Sequence, residues 1–329
     1  MSRIFDIKDF THASSGSVIK LLPYSHYSHP FYVDYDLATI TIDALCTRSP
    51  LHLSGPSGTG KSHLLNSLLY GPRDNISKIS ECLDLPRWAK IKCHRIYVSM
   101  FETPSEIWYR VEVNNFSTEE RRQKILEIFD EAAVDSKTLH VVWLVESGRG
   151  ITESVQGAFL EIIGQDTIRE PRGQTFETTN IAFVTDSNHA ANESGEFAIW
   201  DLDQAYGRRW SCRVTLEGLT SEQEAMVLRE LAPQATDQQI RQVISLAMGI
   251  RQKQSEGTLL SIMPPTIDAE LYLLGCMRRL PVSSRFLVFS TLMGHCSRRD
   301  RDEATTVFAE AFGVRVKAST PAEEAVGVL

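Results

Sequence analysis

From about residue 37 to residue 217 the chain alternates short β-branched or aromatic runs with helical stretches, and after Gly218 the strand signals stop. The runs at 51–54, 95–100, 141–146, 181–185 and 213–216 are bounded by polar or turn residues and are predicted to be strands. Strands alternating with helices imply a parallel sheet covered on both faces, with ligands held beyond the carboxyl ends of the strands. Residues 218–312 carry helical patterns alone and are expected to form a second, helical domain. Ser221 is its first candidate cap, with Glu224 three residues on. Residues 1–36 lack helical periodicity and are expected to be an irregular leader. The tail, 313–329, has few large apolar residues and is expected to be mobile.

One segment between a strand and a helix carries chemistry. Gly55-Pro56-Ser57-Gly58-Thr59-Gly60-Lys61-Ser62 satisfies G-x-x-x-x-G-K-[ST] in full, between LHLS and HLLNSLL. Glycines at 55, 58 and 60 permit backbone angles and close approach that let successive N–H groups surround phosphates, and the helix start adds a favourable dipole. Lys61 supplies a point charge for the phosphates. Ser62 offers a hydroxyl to Mg²⁺, an ion that keeps most of its waters and needs few protein oxygens. The cofactors expected are therefore ATP and Mg²⁺.

Composition narrows the setting. The 329 residues are 42% hydrophobic and 23% charged, and no apolar run approaches the ~18–20 residues of a membrane span. The opening MSRIFDIKDF lacks the layout of a secretory signal, so a cytoplasmic location is expected. The six cysteines form no Cys-x-x-Cys pair, which fits reduced thiols. His26 and His29, near Asp34 and Asp36, have no recognised ligand spacing. A formal net charge of −8 disfavours sequence-independent nucleic-acid binding and makes proteins the expected partners.

The strand HVVWLVES ends in Glu146, and a carboxylate at this point in a phosphate-loop ATPase polarises the water that attacks the γ-phosphate. With it the chain resembles the AAA+ ATPases of the MoxR-like group, in the CbbQ, NorQ and gas-vesicle GvpN branch. The resemblance runs over most of residues 30–312. It rests on LVES, Gln156-Gly-Ala-Phe-Leu-Glu161, TTNIAFVTDSN, Leu202-Asp-Gln-Ala-Tyr-Gly-Arg-Arg-Trp210 and Glu217-Gly-Leu219, in that order.

The resemblance implies an α/β AAA+ domain at 37–217 with a helical lid at 218–312, working as a ring, hexameric by analogy, that remodels or activates a client protein. Such relatives often act through a partner with a von Willebrand factor A domain. It makes Asn188 the candidate first sensor, with Ser187 the alternative register, and Arg209 the arginine that reaches the neighbouring subunit's ATP. Two positions depart from the family. Val145 stands where a metal-holding Asp precedes the Glu, and Asp268 stands where the lid carries a sensing arginine, so that either Arg278, Arg279 or Arg285 substitutes or nucleotide sensing is altered. The alternatives are a nucleic-acid-associated AAA+ factor, such as a helicase loader or transposition regulator, and a ring that binds ATP with little hydrolysis.

Overall fold

The computed structural model describes residues 3–24, 29–56, 58–114, 117–147, 152–188, 204–259, 261–263, 265–294 and 296–314. Its contacts divide the chain into two units, Met1–Leu219 and Thr220–Leu329.

The first unit is built on five strands: β4 (Leu51–Gly55), β5 (Lys90–Tyr97), β8 (Thr138–Val145), β11 (Ile181–Asn188) and β12 (Cys212–Thr215). They pair in the order β12-β4-β11-β8-β5, and every pairing is parallel. All five overlap runs singled out in the sequence, though β5 meets its run only at 95–97, and Val98–Met100 is a 3-10 turn instead. The two-residue period of a strand sends alternate side chains to opposite faces. Val141 and Trp143 of β8, with Ala182 and Val184 of β11, enter one core, whereas Val142 and Leu144, with Ile181 and Phe183, enter the other.

Helices cover both faces. The first core is completed by α1 (Tyr35–Cys46), α2 (Lys61–Leu69) and α3 (Asp74–Cys82), and the second by α4 (Lys124–Val134), α5 (Glu153–Phe159) and α6 (Gln204–Arg209). The fold is an α/β P-loop nucleoside triphosphatase domain followed by a helical unit.

The expectation of an irregular leader is corrected. β1 (Ile4–Asp6), β2 (Val18–Leu21) and β3 (Phe31–Asp34) form a three-stranded sheet, and Ile7, Phe10, Ile19, Leu21 and Val33 are buried in the first core. Strands of three or four residues are too short to establish a period, so only their burial reveals them. Two further hairpins were absent from the sequence reading: β6 (Tyr109–Asn114) with β7 (Ser117–Arg122), and β9 (Thr167–Arg169) with β10 (Thr175–Glu177).

The second unit consists of α7 (Ser221–Leu231), α8 (Asp237–Ser255), α9 (Ile267–Arg279), α10 (Ser284–Thr291) and α11 (Arg301–Phe312) around one apolar core. The first cap is Thr220 rather than Ser221. Its side chain accepts from the Gln223 N–H while Gln223 reaches back, which closes a capping box. Glu224 is instead buried, paired with Arg251 at 2.8 Å, and Arg251 also meets buried Glu270 at 3.0 Å. Burial, then the charge of Glu224, pushes the Glu270 carboxyl well above the usual carboxylate range. Among the described residues no helix is long and apolar enough to cross a membrane. The tail beyond residue 314 lies outside the described residues.

Candidate phosphate-binding site

The phosphate loop leaves the carboxyl end of β4 and enters α2 at Lys61. Gly55 has φ +144°, and a Cβ there would collide with the carbonyl oxygen of Leu216, so the close approach of β12 to the loop requires glycine. Gly60, at φ +91°, caps α2 in the left-handed region. A Cβ on it would press on the Phe31 ring at 3.0 Å, which places β3 directly against the loop. Gly58 also has positive φ, at +82°. Ser57 lies outside the described residues. The Thr59 hydroxyl donates to the carbonyl of Pro56 at 3.0 Å and ties the loop to itself.

Lys61 is only 5% exposed, and its ammonium donates to the carbonyls of Gly55 at 2.8 Å and Pro56 at 2.6 Å. Burial pushes its pKa down to about 8, against the opposing pull of the Asp186 carboxylate. The cation is thus held inside the curl of the loop, where phosphate oxygens would exchange for peptide carbonyls.

The Ser62 hydroxyl donates to Oδ2 of Asp186 at 3.0 Å. Oδ1 of the same carboxylate accepts from the Trp143 indole N–H at 2.8 Å and the Glu146 backbone N–H at 3.3 Å. The Ser147 N–H donates to the Asp186 carbonyl at 3.2 Å. Asp186 therefore joins the ends of α2, β8 and β11. Where the sequence offers only Val145 beside Glu146, the structure brings the Asp186 carboxylate from the adjacent strand to Ser62, and the only signal for it in the sequence was an acidic residue ending an apolar run. The residues present fit a hard divalent cation, since a hydroxyl and a carboxylate meet beside the phosphate loop.

Glu146 follows the last residue of β8, is exposed, and has φ +53°, an uncommon conformation for a residue with a side chain. Asn188 is the exposed last residue of β11 and lies beside Gly55 in register. Ser187 is turned to the opposite face, where its hydroxyl shares a hydrogen bond with His52 Nε2 at 2.7 Å. Of the two candidate sensor positions, Asn188 is therefore the one on the face of Asp186 and α2. Arg209 is exposed at the end of α6, next to buried Trp210 and one turn after buried Tyr206.

In the second unit Asp268 lies in the first turn of α9, and Arg278 and Arg279 lie in its last turn. Ten residues of helix separate Asp268 from Arg278 by about 15 Å. Arg285, on α10, lies over the Phe289 ring at 5.9 Å. Of the histidines considered in the sequence, His26 lies outside the described residues, and the His29 ring contacts the Pro30 carbonyl at 3.2 Å.

A separate buried pair escaped the sequence reading. His94 Nε2 and His140 Nδ1 lie 3.1 Å apart on β5 and β8, with a Glu131 oxygen within 4.8 Å of both. A cavity of about 630 Å³ opens beside His140 and Glu131. Burial lowers both imidazoles, His94 to about 4, and Glu131 is paired with Lys92 at 2.6 Å.

No protein-family model matches the chain, and no curated protein does. Among solved structures the chain is similar to C. elegans PCH-2, at 15% identity over 85% of this chain and 67% of that one, with a TM-score of 0.34. It is also similar to NtrX from Brucella abortus, solved in complex with ADP, at 11% identity over 88% of this chain and 56% of that one, with a TM-score of 0.44. The chain thus spans just over half the length of that NtrX chain. The assignment of a P-loop nucleoside triphosphatase fold rests on the parallel strand order, and on the glycine-lined loop that joins the end of β4 to the start of α2.

Proposed function

We propose that this protein is an AAA+ ATPase that binds ATP with Mg²⁺ and works as a ring subunit on a partner protein. The observation that carries the reading is the complete phosphate loop in its mechanical context, with Lys61 held inside the loop and Ser62 facing a carboxylate. Backbone N–H groups of the loop would receive the phosphates, and Lys61 would turn from the Gly55 and Pro56 carbonyls to the β- and γ-oxygens. Mg²⁺, held through Ser62, would neutralise charge between those phosphates.

Glu146 would polarise the attacking water, a role supported by its side chain being exposed at the strand end while its amide is anchored on Asp186. Asn188, across from Gly55, would orient that water with an amide able to donate and accept. An exposed arginine held by a buried aromatic anchor suits a trans-acting role for Arg209, in which the neighbour's transition-state charge is stabilised. The client, with or without a von Willebrand factor A partner, would be driven by that turnover. Titration calorimetry of ATP and Mg²⁺ into the purified protein, together with phosphate release at increasing protein concentration, tests the reading. Failure to bind ATP would sink it.

A further inference from the structure

The nucleotide reading leaves one chemical requirement open. A phosphate-loop serine that offers its hydroxyl to a divalent cation needs a carboxylate nearby, both to orient that hydroxyl and to hold the cation's water shell. The strand bearing Glu146 does not supply one. Its residue 145 is a valine packed against the first core.

The parallel register supplies it from the side. Thr185 of β11 stands beside Leu144 of β8, so one step further along each strand sets Asp186 beside Val145. Both side chains face α2, because Trp143 and Val184, two residues earlier on each strand, enter the core that α2 covers. The carboxylate is thus displaced by one strand spacing, about 4.8 Å, from the position that the valine occupies. The Ser62 hydroxyl already points at it, at 3.0 Å.

The surroundings of Asp186 call for a cation. The residue is 3% exposed, and its carboxylate accepts from the Trp143 indole, the Ser62 hydroxyl and the Glu146 amide, all of them neutral donors. A buried carboxylate held only by neutral groups is costly unless a positive charge comes close. Lys61 acts on it electrostatically, but its ammonium is bonded to the loop carbonyls. Oδ1 is fixed by two donors, which leaves Oδ2 for the Ser62 side. Trp143 is itself held, since the Arg95 guanidinium lies 4.7 Å from its ring and also bonds Asn66 of α2.

We infer that Asp186 is the metal-holding carboxylate of this site, moved from the strand of the water-polarising glutamate to the neighbouring strand. The division gives the two acidic groups separate supports. Asp186 is fixed in the sheet, and Glu146 stands in the turn that follows β8.

The experiment uses the full-length protein with ADP and Mn²⁺, whose electron paramagnetic resonance spectrum reports metal bound to the complex. Asp186→Asn retains an oxygen for Trp143 and a polar group for Ser62, so the fold and the loop should persist. It is expected to lower Mn²⁺ affinity of the ADP complex about 10–100-fold. ADP affinity in excess EDTA should stay as in the wild type. Trp143→Phe, which removes the orienting donor and leaves a smaller ring in the core, should give a smaller loss of the same kind. Adding Val145→Asp to Asp186→Asn should recover metal binding, because it returns a carboxylate to the adjacent site. Wild-type Mn²⁺ affinity in Asp186→Asn would overturn the inference, and so would an equal loss of ADP binding in EDTA, which would make the residue a loop support. Wild-type protein that binds no ADP in either condition would overturn the nucleotide reading itself, and this inference with it.

Discussion

The Trp143 indole nitrogen donates to Oδ1 of Asp186 at 2.8 Å, a buried bond between adjacent parallel strands that fixes the carboxylate facing Ser62. Two residues forty-three positions apart thereby set the geometry at the start of α2. The bond also explains a polar atom in an apolar strand, since a buried indole N–H is left costly without an acceptor.

Lys61→Ala should abolish ATP binding measured by calorimetry, because the loop loses its only lysine. In the wild type the cationic form binds phosphate, and burial has lowered the free protein's Lys61 to about 8. ATP affinity should therefore be flat below that pH and fall up to about tenfold per unit above it as the ammonium deprotonates. An affinity that stays flat to pH 10 would show that this charge does not matter.

Glu146→Gln should retain ATP and lower turnover by about 10²-fold or more, as the loss of a general base does. Glu106 is a poor replacement, since its carboxylate caps a short helix by accepting from the amides of Glu102 at 2.7 Å and Thr103 at 3.3 Å. Glu146→Gly should remove turnover and yet raise stability by about 1 kcal/mol, because glycine relieves the left-handed backbone at φ +53°. Urea denaturation of the two variants separates the effects.

Arg209→Ala subunits should bind ATP normally and turn it over poorly, and mixing them with Lys61→Ala subunits should restore some turnover. Each restored site would pair an intact loop with an intact arginine from its neighbour. Mixed rings that remain inactive, with wild-type activity per subunit independent of concentration, would count against action in trans.

His94 should make the fold acid-sensitive. Its folded value, about 4, lies below the ordinary 6.5, so between these values the unfolded chain takes up a proton that the folded chain does not. Stability is full above pH 6.5 and should fall by roughly 3 kcal/mol as pH drops to 4. His94→Gln should flatten that limb in urea melts taken across the range, and an unchanged slope would refute the assignment.

Glu270→Gln should leave the thermal midpoint of the helical unit nearly unchanged at neutral pH, because burial already favours the uncharged acid. Arg251→Met should cost about 3–5 kcal/mol, since the buried Glu224 carboxylate would lose its cation and Glu270 a hydrogen-bond donor. Equal losses in the two variants would show Glu270 to be ionised.

The phosphate loop was legible because its code is local: glycines, lysine and serine act within eight consecutive residues, between a strand and a helix that announce themselves by period. The three central strands, β4, β8 and β11, were legible for a similar reason, since strands buried on both faces read as apolar runs. The start of β5 was not. The strand begins at Lys90, where alternating lysines are carried by pairing with β8 rather than by their own propensity. In the β6–β7 hairpin Tyr109, Val111 and Val113 alternate with polar residues, but β7 carries no apolar residue, and the two strands are defined by each other.

By itself the sequence determined which residues could meet phosphate, and that a carboxylate ends the strand HVVWLVES. Only the tertiary structure decided which second carboxylate faces Ser62, because that depends on the register of β11 against β8. Register is settled by burying two faces of a sheet at once, a condition on residues far apart in the chain that no window along it contains. The same holds for Asn188 over Ser187: adjacent in sequence, they point to opposite faces, and burial against His52 decides which of them is left beside the loop.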